Sequence, residues 1–335
     1  MMIKKIAITL AILLAIGFGV WKIFFGGETI KDKIENISEN LNSYSIEGNM
    51  EILNGEEKRV FNVKVDYLKS EEDLFKVSLY DTSINQEQIL LRNKEGVYVL
   101  TPNLNKAHKF KSGWPLNSAK PYIYQSLLSV FDGDYELKKV EDGIIVESKL
   151  SYKHSPLYTR QEIKFSNEMV PVWVNIYNDK DEVVLRINFT RVEKDVSFEE
   201  DYFDLNKSMN MSRENISEDV VSPIEDLPYM LTGSDLNIEL VDSVVVNIED
   251  ENMHMLVYSG DSNFTVIEKV SNVCEELEVI ETNGEIVMTI NGFVILQEDK
   301  VSYTYNGIEI IIYGDSLDVA TYLNIANGME VSASK

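Results

Sequence analysis

The feature that most constrains this chain is a strict alternation of side-chain character. Phe61, Val63, Val65 and Tyr67 alternate with Asn62, Lys64 and Asp66, and Phe75, Val77 and Leu79 alternate with Lys76 and Ser78. Successive side chains of an extended strand point to opposite faces, so a period of two describes strands with one apolar and one wet face. Sheets of that kind are antiparallel. Asn54-Gly55, between apolar runs at 46–53 and 60–68, supplies the positive-φ turn that a short hairpin needs. Strands at 89–91 and 97–100 continue the meander around Lys94-Glu95-Gly96.

After a proline-containing loop, residues 121–131 carry Tyr122, Leu127, Leu128 and Val130 and predict a helix. Strand signals resume at 135–140, 144–150, 161–165, 170–177 and 183–192, with turns at Asp142-Gly143 and Asp179-Lys180. Upstream, Ile30, Ile34, Ile37 and Leu41 recur at helical spacing and predict a short amphipathic helix, its stripe turned toward the sheet. The expected fold class is α+β, a curved antiparallel sheet covered by helices.

Residues 194–229 change character. They are rich in acid, Asn and Ser, hold two prolines and show no sustained period, which marks a connection. Beyond it, strands are expected at 264–269, 278–280, 286–290, 293–297, 301–305 and 308–313, punctuated by Asn283-Gly284, Asn291-Gly292 and Asn306-Gly307. Ser316 is the expected cap of a last helix bearing Leu317, Ala320, Leu323 and Ala326, with Gly328 near its end. The organisation expected is an anchor at 1–25, a first sheet domain at 28–205, a linker at 206–228 and a smaller antiparallel β domain with a C-terminal helix at 229–335.

Residues 6–25 hold a single charge, Lys22, and match the length of about 20 residues that spans a bilayer. Bulky Trp21, Phe24 and Phe25 end the run where a signal peptidase needs small residues, so the segment reads as an uncleaved transmembrane anchor. Lys4 and Lys5 place its start in the cytoplasm and the folded part outside. No cysteine follows the run to carry a lipid.

The 335-residue chain has a net charge of -25, and beyond residue 25 it carries 28 basic against 56 acidic side chains. Such a surface repels phosphate backbones, so nucleic acid is excluded as a partner. The single cysteine, Cys274, has no disulfide partner within the chain and stands beside Glu275, Glu276 and Glu278, which disfavour a thiolate. His108, His154 and His254 lie in no metal-binding spacing, Ser259-Gly260-Asp261-Ser262-Asn263 lacks the second glycine of a nucleophile elbow, and no phosphate-loop pattern occurs. Acids cluster in turns, where solvated charge explains them. No catalytic residue, metal or cofactor is expected, and the chain reads as a non-enzyme.

What remains is the apolar face of the sheet. Phe61, Val63, Tyr67, Phe75, Val77 and Trp173 are the candidate ligand- or partner-binding residues of a concave face. Either a covering helix fills that face or it accepts an acyl chain or a partner's apolar segment.

The stretch 96–102, GVYVLTP, followed by Trp114-Pro115, resembles Gram-positive relatives of the lipoprotein carrier LolA, a group that includes YdcC and the germination protein GerS. The likeness extends over about residues 30–205, and YTYNGIEIIIYG with the helix ending in NIANGM is similar to the end of YdcC-like proteins. The resemblance implies an open half-barrel sheet, an extracytoplasmic location and a role by binding. No functional side chain is carried over from it, and Thr101, Pro102, Trp114 and Pro115 are chosen separately as a candidate partner-binding loop. The implied function is noncatalytic work in spore-envelope or cortex processing or in germination, with a protein partner such as a cell-wall amidase. The alternative is a lipid or lipoprotein carrier or envelope sensor that holds an acyl chain.

Overall fold

The computed structural model describes residues 29–331 apart from 56, 112–113, 115–117, 216–226, 232–236 and 249–250. The apolar run at 6–25 and Pro115 therefore lie outside the described residues. The chain divides into two units, Met1–Asn40 and Leu41–Lys335. In the first, helix α1 (Ile30–Asn40) starts at a reciprocal cap. Thr29 N donates to the Asp32 carboxylate at 2.9 Å, and Asp32 N donates to Thr29 Oγ1 at 3.2 Å. Two amides that a helix start would leave open are thus satisfied, and these bonds hold the Asp32 carboxyl below its usual range.

The second unit is mostly β, with few helices and two sheets. The first sheet is curved and has twelve strands. Its meander runs through β1 (Ser43–Asn54), β2 (Glu57–Leu68), β3 (Leu74–Asp81), β4 (Gln86–Asn93), β5 (Gly96–Thr101) and β6 (Lys106–Phe110). The other half is β7 (Tyr135–Val140), β8 (Gly143–Lys149), β9 (Arg160–Ser166), β10 (Pro171–Tyr177) and β11 (Val183–Lys194), and β11 closes back onto β1. Met50 stands opposite both Phe61 and Ile187, which carries one apolar face unbroken from one half to the other.

Helical cover is present but slight. Helix α2 (Tyr124–Leu128) is shorter than the predicted 121–131, because Ile123 at its start offers no side-chain cap and a 3-10 turn (Ser129–Asp132) replaces its last turns. Packing holds it instead: Tyr44 Oη donates to Gln125 Oε1 at 2.8 Å, and Tyr124 Oη donates to the Met169 carbonyl at 2.8 Å.

On the opposite face, helix α3 (Leu205–Asn215) occupies the start of the expected linker. Leu205, Met209 and Phe203 join Leu74, Ile89, Leu91, Tyr98, Leu100 and Ala107 in one core. Its period was hidden because Ser208 and Ser212, polar by type, are small enough to be buried between the apolar residues.

The second sheet has seven antiparallel strands: β13 (Ile238–Ile248), β14 (Glu251–Gly260), β15 (Phe264–Val270), β17 (Glu285–Thr289), β18 (Gly292–Leu296), β19 (Lys300–Tyr305) and β20 (Ile308–Gly314). Asn306 and Gly307, at φ 49° and 76°, make the turn their types predict. Helix α4 (Val319–Asn327) packs Tyr322, Leu323, Ile325 and Ala326 into the core of this sheet. Its cap is Asp318, not Ser316: the Asp318 carboxylate accepts from Thr321 N at 2.8 Å. A short pair, β12 (Tyr229–Leu231) and β21 (Met329–Val331), brings the two ends of this region together.

Two strand assignments needed tertiary structure. The sequence joining β13 to β14 has no Asn-Gly, so this hairpin carried no turn signal. The strand expected at 278–280 is β16 (Glu278–Thr282), which leaves the second sheet and pairs in parallel with β6 at the edge of the first.

Buried amides join the sheets. Gln88 accepts from Phe293 N at 2.7 Å, and Gln86 accepts from Asn306 N at 2.8 Å. A Cβ on Gly292 would stand 2.2 Å from Gln88 Oε1, and φ there is 82°, so glycine is the residue that this junction admits.

Candidate functional site

Phe61, Val63, Tyr67, Phe75 and Val77 share one face of β2 and β3, and all five are buried. Aromatic rings run in a row across this face, and Trp114 covers its end. Tyr67 stacks on Tyr44 at 5.0 Å between centroids, Phe75 lies 4.9 Å from Tyr67, and Trp114 stacks on Phe75 at 4.8 Å. Such contacts are core packing, with offset rings favoured by their quadrupoles.

Trp173 is not among them. Cross-strand register sets Trp173 beside Asn188, and Asn188 beside Asn49, whereas Phe61 lies in the row of Met50, Ile187 and Val174. Along β10 it alternates with buried Val174 and Ile176, and a period of two turns it to the other face. Trp173 is therefore half-buried on the opposite side of the sheet.

The candidate loop is engaged within the chain. Thr101 and Pro102 are buried, and Pro102 opens a 3-10 turn that ends at Asn105 in the left-handed region, φ 56°. Asn105 Nδ2 then donates to the carbonyls of Cys274 and Glu275, at 3.1 and 3.3 Å. Trp114, half-buried, carries Arg92 over its ring at 5.9 Å.

A cleft of about 710 Å³ opens elsewhere, where the end of the β1–β2 hairpin and the β10–β11 turn face β17 and α4. Asn54, Lys180, Glu182 and Asn324 line it beside apolar Leu157 and Leu323. Asn54 Nδ2 reaches the Asn327 carbonyl at 3.1 Å, which ties the two walls together. The lining comes from five separated segments, so no local motif announced it. A smaller recess of about 280 Å³ is lined by Ile84, Leu104, Val270, Val273 and Ile308.

Titratable groups serve the packing. Glu268 is fully buried and accepts from Tyr229 N at 3.0 Å; burial pushes its carboxyl up to about 7 against the opposing effect of that amide. Burial lowers His108, whose Nδ1 meets Thr282 Oγ1 at 3.0 Å, and also lowers His154, 3.8 Å from Glu285. Burial and the Glu278 carboxylate, 3.3 Å away, push the Cys274 thiol up, which makes it a weak nucleophile. Among the described residues no group of three or more His, Cys, Asp and Glu could hold a metal, and no helix is long and apolar enough to cross a membrane.

No family model matches the chain. It is 28% identical over 324 residues to the sporulation protein YdcC of Bacillus subtilis, a match that covers 92% of this chain and 93% of YdcC. Among solved structures, a LolA superfamily protein of Nitrosomonas europaea matches 53% of this chain and 98% of its own at 12% identity and a TM-score of 0.30. The complex of the CwlD amidase with the GerS lipoprotein of Clostridioides difficile matches 52% of this chain and 96% of the aligned one at 12% identity and a TM-score of 0.22.

Proposed function

The chain is related to YdcC along almost its whole length, within the LolA-like, GerS-related group that its sequence resembles, and we propose that it works by binding, without catalysis, in sporulation or germination. The near full-length similarity to a sporulation protein carries this reading. On it, residues 6–25 anchor the chain in the membrane and the sheets act outside, in processing of the spore envelope or cortex. A cell-wall amidase is the partner to test first, since the GerS lipoprotein is found in complex with one.

A protein partner is favoured over an acyl chain by the packing. The face formed by Tyr44, Phe61, Val63, Tyr67, Phe75 and Val77 is buried, with Trp114 stacked on Phe75 and with Tyr124 and Gln125 of α2 against Tyr44, whereas an acyl chain needs an unfilled apolar groove. The cleft beside Asn54 and Lys180 mixes polar and apolar groups, which suits a peptide surface better than hydrocarbon.

The test is co-purification of the detergent-extracted full-length chain with the amidase of the same cell. Substituting the exposed cleft residue Asn324→Arg should leave the urea midpoint unchanged and weaken capture. A chain that binds no amidase but releases fragments from purified peptidoglycan would overturn the noncatalytic reading. Bound lipid in the extracted protein, with no protein partner, would favour the carrier.

A further inference from the structure

Leu240, Val241, Val244, Val245 and Ile248 are exposed apolar side chains, and all five belong to β13. This strand is the last of its sheet, paired with β14 on one side only. A free edge presents a row of N–H and C=O groups, and soluble proteins usually blunt it with lysine, proline or inward charge. From Ser243 to Ile248 β13 has none of these; its acids, Glu239 and Asp242, lie toward the other end. The apolar character also runs across the sheet, since Val244 stands opposite Met255, Met255 opposite Ile267, and Ile267 opposite Ile311. All four are at least partly accessible.

We propose that β13 pairs antiparallel with β13 of a second copy of this chain, extending the seven-stranded sheet across a two-fold axis at Val245. A two-fold pairing of one strand with itself has to be self-complementary. The stretch 243–247, SVVVN, satisfies this: Ser243 meets Asn247 of the copy, Val244 meets Val246, and Val245 meets Val245. Moving the axis by one residue to either side sets Ser243 or Asn247 against Val245 and loses the polar pairs. Charge selects the same register. Asp242 falls opposite Ile248, so the nearest acids of two acidic chains do not face one another.

A pairing of this length is smaller than the ~1,200–2,000 Å² of a standard interface, so a weak, reversible dimer is expected. Because each copy carries a net charge of -25, salt should tighten it by screening the long-range repulsion.

Sedimentation velocity on the detergent-solubilised full-length chain, over a wide concentration range and at two salt concentrations, tests this. The wild type should pass from monomer to dimer as concentration rises. Val245→Lys and Val245→Glu should each weaken the dimer by about tenfold or more, because like charges then meet across the axis. Mixing the two variants should restore association as a heterodimer, which requires residue 245 to face residue 245. Val245 is 60% exposed, so the variants should keep the wild-type urea midpoint; if one does not, the mixing experiment still decides. A wild type that stays monomeric throughout, or a dimer that Val245→Lys leaves intact, would overturn the proposal. So would a monomer that binds phosphatidylcholine vesicles and loses that binding in Val245→Lys, since the edge would then face lipid.

Discussion

Strands β5 and β13 are both rich in valine, and they meet opposite fates. In β5 every residue after Gly96 is buried, whereas β13 is exposed along most of its length. The difference lies in neighbours. β5 sits between β4 and β6, with Tyr98 and Leu100 under α3 on one face and Val97 and Val99 turned to the other. Among the described residues β13 has one neighbouring strand, and its exposed side chains have no such cover. An apolar strand is thus a demand for partners, and the chain meets that demand in the first sheet while leaving it open at the edge of the second.

The contrast is broken most severely by placing a charge in each setting. Val77 is fully buried opposite Val65 and Leu90, so Val77→Asp should cost about 3 kcal/mol or more through an uncompensated buried carboxylate. Urea denaturation of the full chain reads this as a large fall in midpoint, and a near-normal midpoint would mean that the first sheet's inner face is open to water.

A smaller effect is expected from Glu268, an acid buried in the second sheet. The folded-state value of Glu268, about 7, lies above its ordinary 4.5, so the native state is penalised as pH rises through that interval and carries the full penalty above it. Glu268→Gln should therefore gain stability relative to the wild type as pH rises from about 5 to about 8, by roughly 1–3 kcal/mol at the upper end. The difference in urea midpoints between the two proteins, followed with pH, isolates this group. A difference that does not change with pH would show that Glu268 is hydrated.

Asp318→Ala removes the side-chain acceptor for Thr321 N and should cost about 1 kcal/mol, confined to α4 and the second sheet. Hydrogen exchange should show faster amides in α4 and unchanged amides in β2 and β3; equal loosening of both sheets would make them one cooperative unit. At the other extreme, Val245→Lys should shift stability by no more than about 0.5 kcal/mol, since Val245 is 60% exposed. Together these four changes rank the two sheets by how much of each strand's apolar surface is covered.

Both sheets were readable where alternation met a turn signal. Phe61 to Tyr67, Phe75 to Leu79 and Asn306-Gly307 fix their own strand phase, because side-chain direction depends only on position along a strand. Trp173 was misplaced by residue type alone, since it alternates with buried Val174 and Ile176 and the same period of two turns it to the other face. Helix α3 was missed because buried serines broke the apolar count. Asp318 displaced Ser316 as a cap because both residue types serve, and only backbone direction chooses between them. The cleft was invisible because Asn54, Lys180 and Asn324 are brought together by sheet docking alone.

Residue type and short-range spacing are enough to establish that this chain builds antiparallel sheets, that its surface is strongly acidic, and that it resembles YdcC-related proteins. Contacts between distant segments set the rest: β16 crosses to the edge of the first sheet, Gln86 and Gln88 bind the second sheet to the first, and β13 has no cover among the described residues. The physical reason is range: spacing governs which way a side chain points, but only the meeting of distant segments settles what it points at.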